Sequence, residues 1–153
     1  MQIVVNTIRD IDIIEKELNS ISSGVLALPL EEDFQLIATN FVYKDKNIFF
    51  FVQNKELYKD IKFDAPAKFT AIREKTKDRK PAGESKELFK LFYISVNGII
   101  KIVKEKKLKN SIKQSFIQKY SGKLIESDTK SKAFSKLVYI DSEELVATEE
   151  IGK

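Results

Sequence analysis

A chain of 153 residues, 42% of them hydrophobic, suits one compact domain over residues 1–153 with enough apolar mass for a core. It contains no cysteine and no histidine. That excludes disulfides, thiolate nucleophiles, Ser-His-Asp triads and the commonest metal ligand together, and no metal site is expected.

The net charge of +4, with 23 acidic residues mixed among 27 basic ones, permits a polyanionic partner without requiring one. The opening MQIVVNTIRD has no long apolar core and no small-residue cleavage site, so it does not read as a signal peptide. No apolar run approaches the roughly 18 residues that cross a bilayer, and a cytoplasmic location is the expectation. Asp10–Ser22 predicts a helix, because Ile11, Ile14, Leu18 and Ile21 fall on one stripe. Thr7 or Asp10 can cap it, and Gly24 can stop it.

GVLALPL (Gly24–Leu30), QLIATNFVY (Gln35–Tyr43) and IFFFV (Ile48–Val52) are β-prone and joined by the short turns EEDF and KDKN. They predict an antiparallel meander. IFFFV has no polar face, which closure into a barrel would explain. Glu56–Phe63 predicts a short helix ended before Pro66, and Ala67–Glu74 alternates as a strand does. Lys75–Lys86 is polar, contains Pro81 and Gly83, and predicts a loop of unassigned role.

ELFKLFYISV and GIIKIV are β-prone on either side of Asn97-Gly98, which reads as a hairpin turn or as a glycine bulge in one long strand. Leu108, Ile112, Phe116 and Tyr120 recur every four residues and predict an amphipathic helix ending near Ser121-Gly122. Lys136–Glu149 supplies a last strand and tail. This order is α+β with antiparallel pairing, and a small closed or half-open barrel satisfies it most economically.

The corner after IFFFV is the most informative place in the chain. Gln53, Asn54 and Lys55 lead straight into a helix start, and amides, backbone N–H groups and an ammonium together hold anions. The same residues have plainer uses, Asn54 as a helix cap and Lys55 and Lys59 as solvated helix lysines. The run Lys101, Lys104, Lys106, Lys107, Lys109, Lys113 raises the question of nucleic acid. It lacks arginine and the exposed aromatics on which bases stack, so it reads as a solvated face. No acidic pair has the spacing of a metal or acid–base site, and no catalytic residue is identified.

Several stretches, taken in order, resemble the pyridoxamine-5′-phosphate-oxidase-like family of FMN-binding split barrels. They are GVLAL after a first helix, LIATNFVYKDKNIFFFV, KELYKDIKFDAP, AKFTAIRE, and FYISVNGIIKIV before a lysine-rich helix ending IQKYSG. The resemblance implies a six-stranded antiparallel Greek-key split β-barrel with flanking helices. It also implies a homodimer, FMN at the subunit interface, and a flavin-dependent oxidoreductase of unassigned substrate. By the same resemblance the flavin ring lies along Thr39, Asn40 and Phe41. Its phosphate lies at Phe51, Val52, Gln53, Asn54, Lys55 and Lys59.

The chain departs from the family at Val52, where members often carry Thr or Ser, and at Leu57, near which a basic residue is common. Lacking histidine, it also departs from nitroimidazole-resistance and haem-degrading relatives. Two other readings stand beside this one: the same barrel as a flavin-free ligand-binding or sensing module, and a basic barrel for single-stranded nucleic acid.

Overall fold

The computed structural model describes residues 1–73, 88–120 and 134–153. The elements run β1 (Ile3–Ile8), α1 (Ile11–Ser20), β2 (Ser23–Pro29), β3 (Phe34–Asn40), β4 (Val42–Lys44), β5 (Asn47–Val52), α2 (Lys55–Asp60), β6 (Pro66–Ile72), β7 (Phe89–Ile102), α3 (Lys106–Lys119) and β8 (Lys136–Gly152). One antiparallel sheet holds the strands in the order β3-β2-β6-β7-β8-β5-β4, with β1 added on β8. The architecture is α+β and split-barrel-like, with eight strands in place of the expected six.

The two extra strands have separate origins. IVVNTI pairs with the second half of β8, from Ile3↔Gly152 to Ile8↔Ala147. It is an edge strand with most of its side chains exposed, so it lacks the alternation that marks a half-buried strand. QLIATNFVY, expected as one strand, divides at Phe41: β3 pairs with β2, whereas β4 pairs with β5. The expected three-strand meander therefore does not form. β3 and β4 stand at opposite ends of the sheet order, and the bend at Phe41 carries the chain across the gap between them.

Local chemistry accounts for the turns. Asp45 and Lys46 both adopt positive φ, 51° and 65°, as a two-residue hairpin loop between right-twisted strands demands. Asn97-Gly98 is not a hairpin, because β7 runs unbroken through it. Its register against β8 shifts there: Asn97 pairs with Glu144 and Gly98 with Ser142, so Glu143 is the extra residue of a bulge. A Cβ on Gly98 would fall on the Asp141 carbonyl. Gly98→Ala should accordingly cost about 1–3 kcal/mol through overpacking. A thermal melt should then show the midpoint lowered by roughly 2–12 °C.

Of the two proposed caps for α1, Asp10 is the one used; its carboxylate accepts from the Asp12 N–H at 3.0 Å. The helix ends at Ser20, with the Ile21 N–H on the Glu17 carbonyl. Gly24 is thus not its stop. It lies inside β2, beneath the Phe69 ring, where a Cβ would clash.

Inside the curled sheet, Ile48, Phe50 and Val52 of β5 join Leu26, Phe69 and Ile140 in the main core, which Ile14 and Leu18 of α1 close from one side. Phe49, on the opposite face of β5, packs with Val42 and Leu137 under Ile112 and Phe116 of α3. IFFFV lacks a polar face for both reasons; closure accounts for one side and α3 for the other. The Lys75–Lys86 loop and the Ser121-Gly122 helix stop lie outside the described residues. Among the described residues no helix is long and apolar enough to cross a membrane.

Candidate functional site

The bend at Phe41 opens a seam in the barrel wall. On one side of it Val42 pairs with Phe49 of β5. On the other, Asn40 pairs instead with Ser23 of β2, and β3 runs near β5 without any ladder between them. Continuing the β4–β5 register past Val42 sets Asn40 and Thr39 across from Phe51 and Val52. The seam therefore has two lips, Thr39–Phe41 and Phe51–Val52, and the second runs out into Gln53, Asn54 and Lys55. Two segments that the resemblance assigned to one ligand thus lie in neighbouring strands with no ladder between them.

The individual side chains sort into three groups. Phe41 and Val52 are core residues, at 0% and 3% exposure, and Phe41 meets Phe69 edge-on at 4.8 Å. What they offer the seam is backbone and shape. Phe51 is half-buried and its ring packs on Phe116 at 4.9 Å, beneath α3.

Thr39, Asn40, Gln53, Asn54, Lys55 and Lys59 remain half or fully exposed. The Thr39 hydroxyl donates to the Asn40 carbonyl at 3.0 Å, which leaves Thr39 Oγ1 as an acceptor. Asn54 is the cap of α2, its Oδ1 accepting from the Leu57 N–H at 3.0 Å; its NH₂ has no hydrogen-bond partner among the described residues. Neither Lys55 nor Lys59 forms an ion pair among the described residues.

Three residues of the site were not singled out from sequence. Lys136, the first residue of β8, pairs with Val52 and so stands at the same corner as Lys55. The chain just before it is docked on α2 by Phe134 against Tyr58, with ring centroids 5.4 Å apart. Lys119 and Tyr120, at the C-terminal end of α3, hold the bend itself.

Leaving the ladder frees the Phe41 N–H and carbonyl, and both are taken up from α3. The N–H donates to the Tyr120 hydroxyl at 3.1 Å, and the carbonyl accepts from Lys119 Nζ at 2.8 Å. Tyr120 in turn donates to the Ser22 carbonyl. Lys119 Nζ also lies 3.7 Å above the Phe41 ring centre and 3.5 Å from the carbonyl of Leu18. No basic residue occupies the last turn of α1, so Lys119 brings a cation to the negative end of that helix from another element.

Burial pushes the Lys119 ammonium down to about 8, although the two carbonyls and the ring face favour its charged form. Burial likewise raises the Tyr120 phenol, partly offset by its bond to Phe41. Tyr120 was visible in sequence only as the last member of an apolar stripe. Nothing local signals that its hydroxyl meets a residue 79 positions earlier.

The sequence matches no family model and no curated protein. Solved structures are similar to it throughout. An FAD-binding protein from Mesorhizobium loti superposes with a TM-score of 0.65 at 14% identity, covering 95% of this chain and 98% of that one. A candidate pyridoxamine 5′-phosphate oxidase from Corynebacterium glutamicum gives 0.62 at 16% identity, over 95% and 98%. A candidate 5-nitroimidazole antibiotic resistance protein from Bacteroides thetaiotaomicron gives 0.70 at 11% identity, over 100% and 93%. At these identities the likeness speaks for the fold, and the fold is the split barrel of pyridoxamine-5′-phosphate-oxidase-like and FAD-binding proteins.

Proposed function

We propose that the seam holds FMN and that the chain is a homodimeric flavoprotein acting in electron or hydride transfer. The observation that carries this reading is the two-lipped seam, polar along one lip and cationic where the other ends. Lys55, Lys59 and Lys136 stand around the Val52–Asn54 corner with no carboxylate partner among the described residues. Asn54, the cap of α2, belongs to the same corner.

That donor set fits a phosphate dianion, which ammonium groups and amides stabilise through charge-assisted hydrogen bonds. At the other lip, the exposed Asn40 amide offers both a donor and an acceptor, which suits the pyrimidine edge of a flavin. The flavin, when bound, supplies the redox chemistry; the chain positions it and sets its electrostatics. The fold of the similar FAD-binding protein is consistent with this reading.

The test is an absorbance spectrum of the native protein, followed by titration with FMN, riboflavin and FAD. FMN should bind at least tenfold more tightly than riboflavin, because riboflavin lacks the phosphate. Lys55→Ala, Lys59→Ala and Lys136→Ala should each be compared. Loss of a charged hydrogen bond of about 1.5–3 kcal/mol would weaken FMN roughly 10- to 150-fold and leave riboflavin unchanged. If none of the three alters the FMN preference, the phosphate is not at this corner. A colourless protein that no flavin stabilises against heat would remove the whole reading.

A further inference from the structure

The lysine run that reads as a solvated face in sequence takes a more particular form in the structure. Glu105 is the only acidic residue between Lys101 and Lys119. Lys101 has its counter-charge, Asp141, at 3.1 Å. Lys104, Lys106, Lys107, Lys109 and Lys113 form no ion pair among the described residues. Lys109 is half-buried and the other four are exposed.

Their place runs against the electrostatics of α3 itself. The amino end of a helix carries partial positive charge and favours acidic side chains. α1 and α2 follow that rule, with Asp12 and Glu56 in their first turns and caps from Asp10 and Asn54. The first turn of α3 holds no acid, and Glu105 at its cap position makes no side-chain bond to the free N–H groups. Cations there lower the stability of the free chain, and only an anion beside them offsets that.

The run is also one-sided. Ile112 and Phe116 face inward. Ser111, on one flank, accepts from Lys44 Nζ at 2.8 Å, which turns that flank toward the β4–β5 hairpin. Lys106, Lys109 and Lys113, three and four residues apart, share the opposite flank. That flank is turned toward the ends of β5 and β8, where Phe51 packs on Phe116 and Val52 pairs with Lys136. Lys106 to Lys113 covers about 10 Å of helix, and the corner with Lys136 and Lys55 extends the same charge. Ile117, a turn beyond Lys113, is a large apolar side chain left 36% exposed. The carboxyl end of this helix clamps the bend at Phe41.

We propose that this flank of α3 docks the carboxylate-rich surface of a different protein beside the seam. The band is too long for one small anion. Lysine ammonium groups are compact, strongly hydrated and rotatable, and lack arginine's planar fork for phosphate. They suit steering into the small, wet contacts of transient redox encounters. Nucleic acid would call for aromatic stacking platforms, which this flank does not carry. That the docked protein is the redox partner of the seam rests on the functional reading above; the docking itself does not.

Fluorescence anisotropy of the purified chain with a labelled peptide of six Glu-Gly repeats tests it. Comparison probes are six Gln-Gly repeats, heptathymidylate with its six phosphates, and phosphatidylserine vesicles. The Glu peptide should bind, the Gln peptide should not, and the Glu dissociation constant should rise at least tenfold from 50 to 200 mM salt. Lys106→Glu with Lys113→Glu should weaken binding at least tenfold. Lys16→Glu with Lys153→Glu changes net charge equally at exposed sites elsewhere and should stay within threefold of the parent. Lys106→Glu alone should raise the thermal midpoint by about 2–4 °C while weakening binding, since it puts an anion at the helix start. Absence of Glu-peptide binding, or equal losses in the two double variants, overturns the proposal. Tighter binding of heptathymidylate or of the vesicles at equal salt also overturns it, in favour of nucleic acid or a membrane surface. In flavin-loaded, reduced protein, ferricyanide should reoxidise the Lys106→Glu, Lys113→Glu variant at least tenfold more slowly than the parent, and the hexaammineruthenium(III) cation no more slowly. Equal ferricyanide rates would overturn the link to the seam. A chain that takes up no flavin yet binds the Glu peptide as described upholds the docking and sinks the functional reading alone.

Discussion

Phe41→Ala is expected to destabilise the fold by about 3–5 kcal/mol and to abolish flavin binding at concentrations where the folded protein still predominates. Phe41 is fully buried, meets Phe69 edge-on, and lies directly under the Lys119 ammonium. Truncation opens a cavity at the one point where the chain crosses from one end of the sheet order to the other. The lips of the seam would lose the residue that sets their separation. Phe69→Ala supplies the comparison: it removes a buried ring of the same size whose backbone stays in the β2–β6–β7 ladders. It should cost similar stability and keep more of the FMN affinity. Chemical denaturation followed by FMN titration of both variants checks this, and equal losses of affinity would mean that Phe41 serves the core alone.

The second large effect belongs to the clamp that α3 places on this bend. Tyr120→Phe leaves the Phe41 N–H and the Ser22 carbonyl without their partner. The Phe41 N–H is part-buried and its stranding costs about 1–3 kcal/mol, whereas the exposed Ser22 carbonyl can turn to water. Lys119→Met acts differently, through pH. The Lys119 ammonium gives up its proton near pH 8 in the folded chain, against 10.5 for an unperturbed lysine. Between those values the unfolded state binds more protons than the folded one, so this residue makes stability rise with pH.

Tyr120 and Tyr43 pull the other way. Burial raises both phenols, and for Tyr43 the Glu15 carboxylate adds to the rise. Their contribution is complete below the ordinary value of about 10 and is lost as pH climbs through their folded-state values. Urea midpoints measured from pH 7 to 10 should therefore show the parent gaining on Lys119→Met as pH increases. Above pH 10 both proteins should weaken. A parent–variant difference that stays flat across this range would show that Lys119 is solvated and titrates as an ordinary lysine.

Much of the fold was open to inspection in the chain itself, wherever the cause is local. Of the expected stripe Ile11, Ile14, Leu18 and Ile21, Ile14 and Leu18 did become the core face of α1, while Ile11 stays exposed and Ile21 falls just past the helix end. Ile112 and Phe116, with Leu108 half-buried beside them, form the inner face of α3, because a helix sorts its own residues by 3.6-residue periodicity. Asn54 as a cap and Asp45-Lys46 as a tight turn are decided by three or four consecutive residues. The corner after IFFFV was likewise recognisable, since amides and a lysine at a helix start are adjacent in sequence.

Other features depended on partners far along the chain. Gln35–Tyr43 contains no glycine or proline to announce a break. It divides at Phe41 because β2 claims one half and β5 the other. Asn97-Gly98 has the composition of a hairpin, yet β8 pairs along the whole of β7 and turns it into a bulge. β1 is a strand only because the second half of β8 gives it an edge to pair with. Lys119, Tyr120 and Lys136 gain their places from contacts 78 to 84 positions away. Periodicity and capping follow from the energies of neighbouring residues, so the sequence alone determined the helices, most of the strands and the capped corner where β5 meets α2. The seam exists because two parts of the sheet compete for one strand, and only the closed tertiary structure decides where that strand must part.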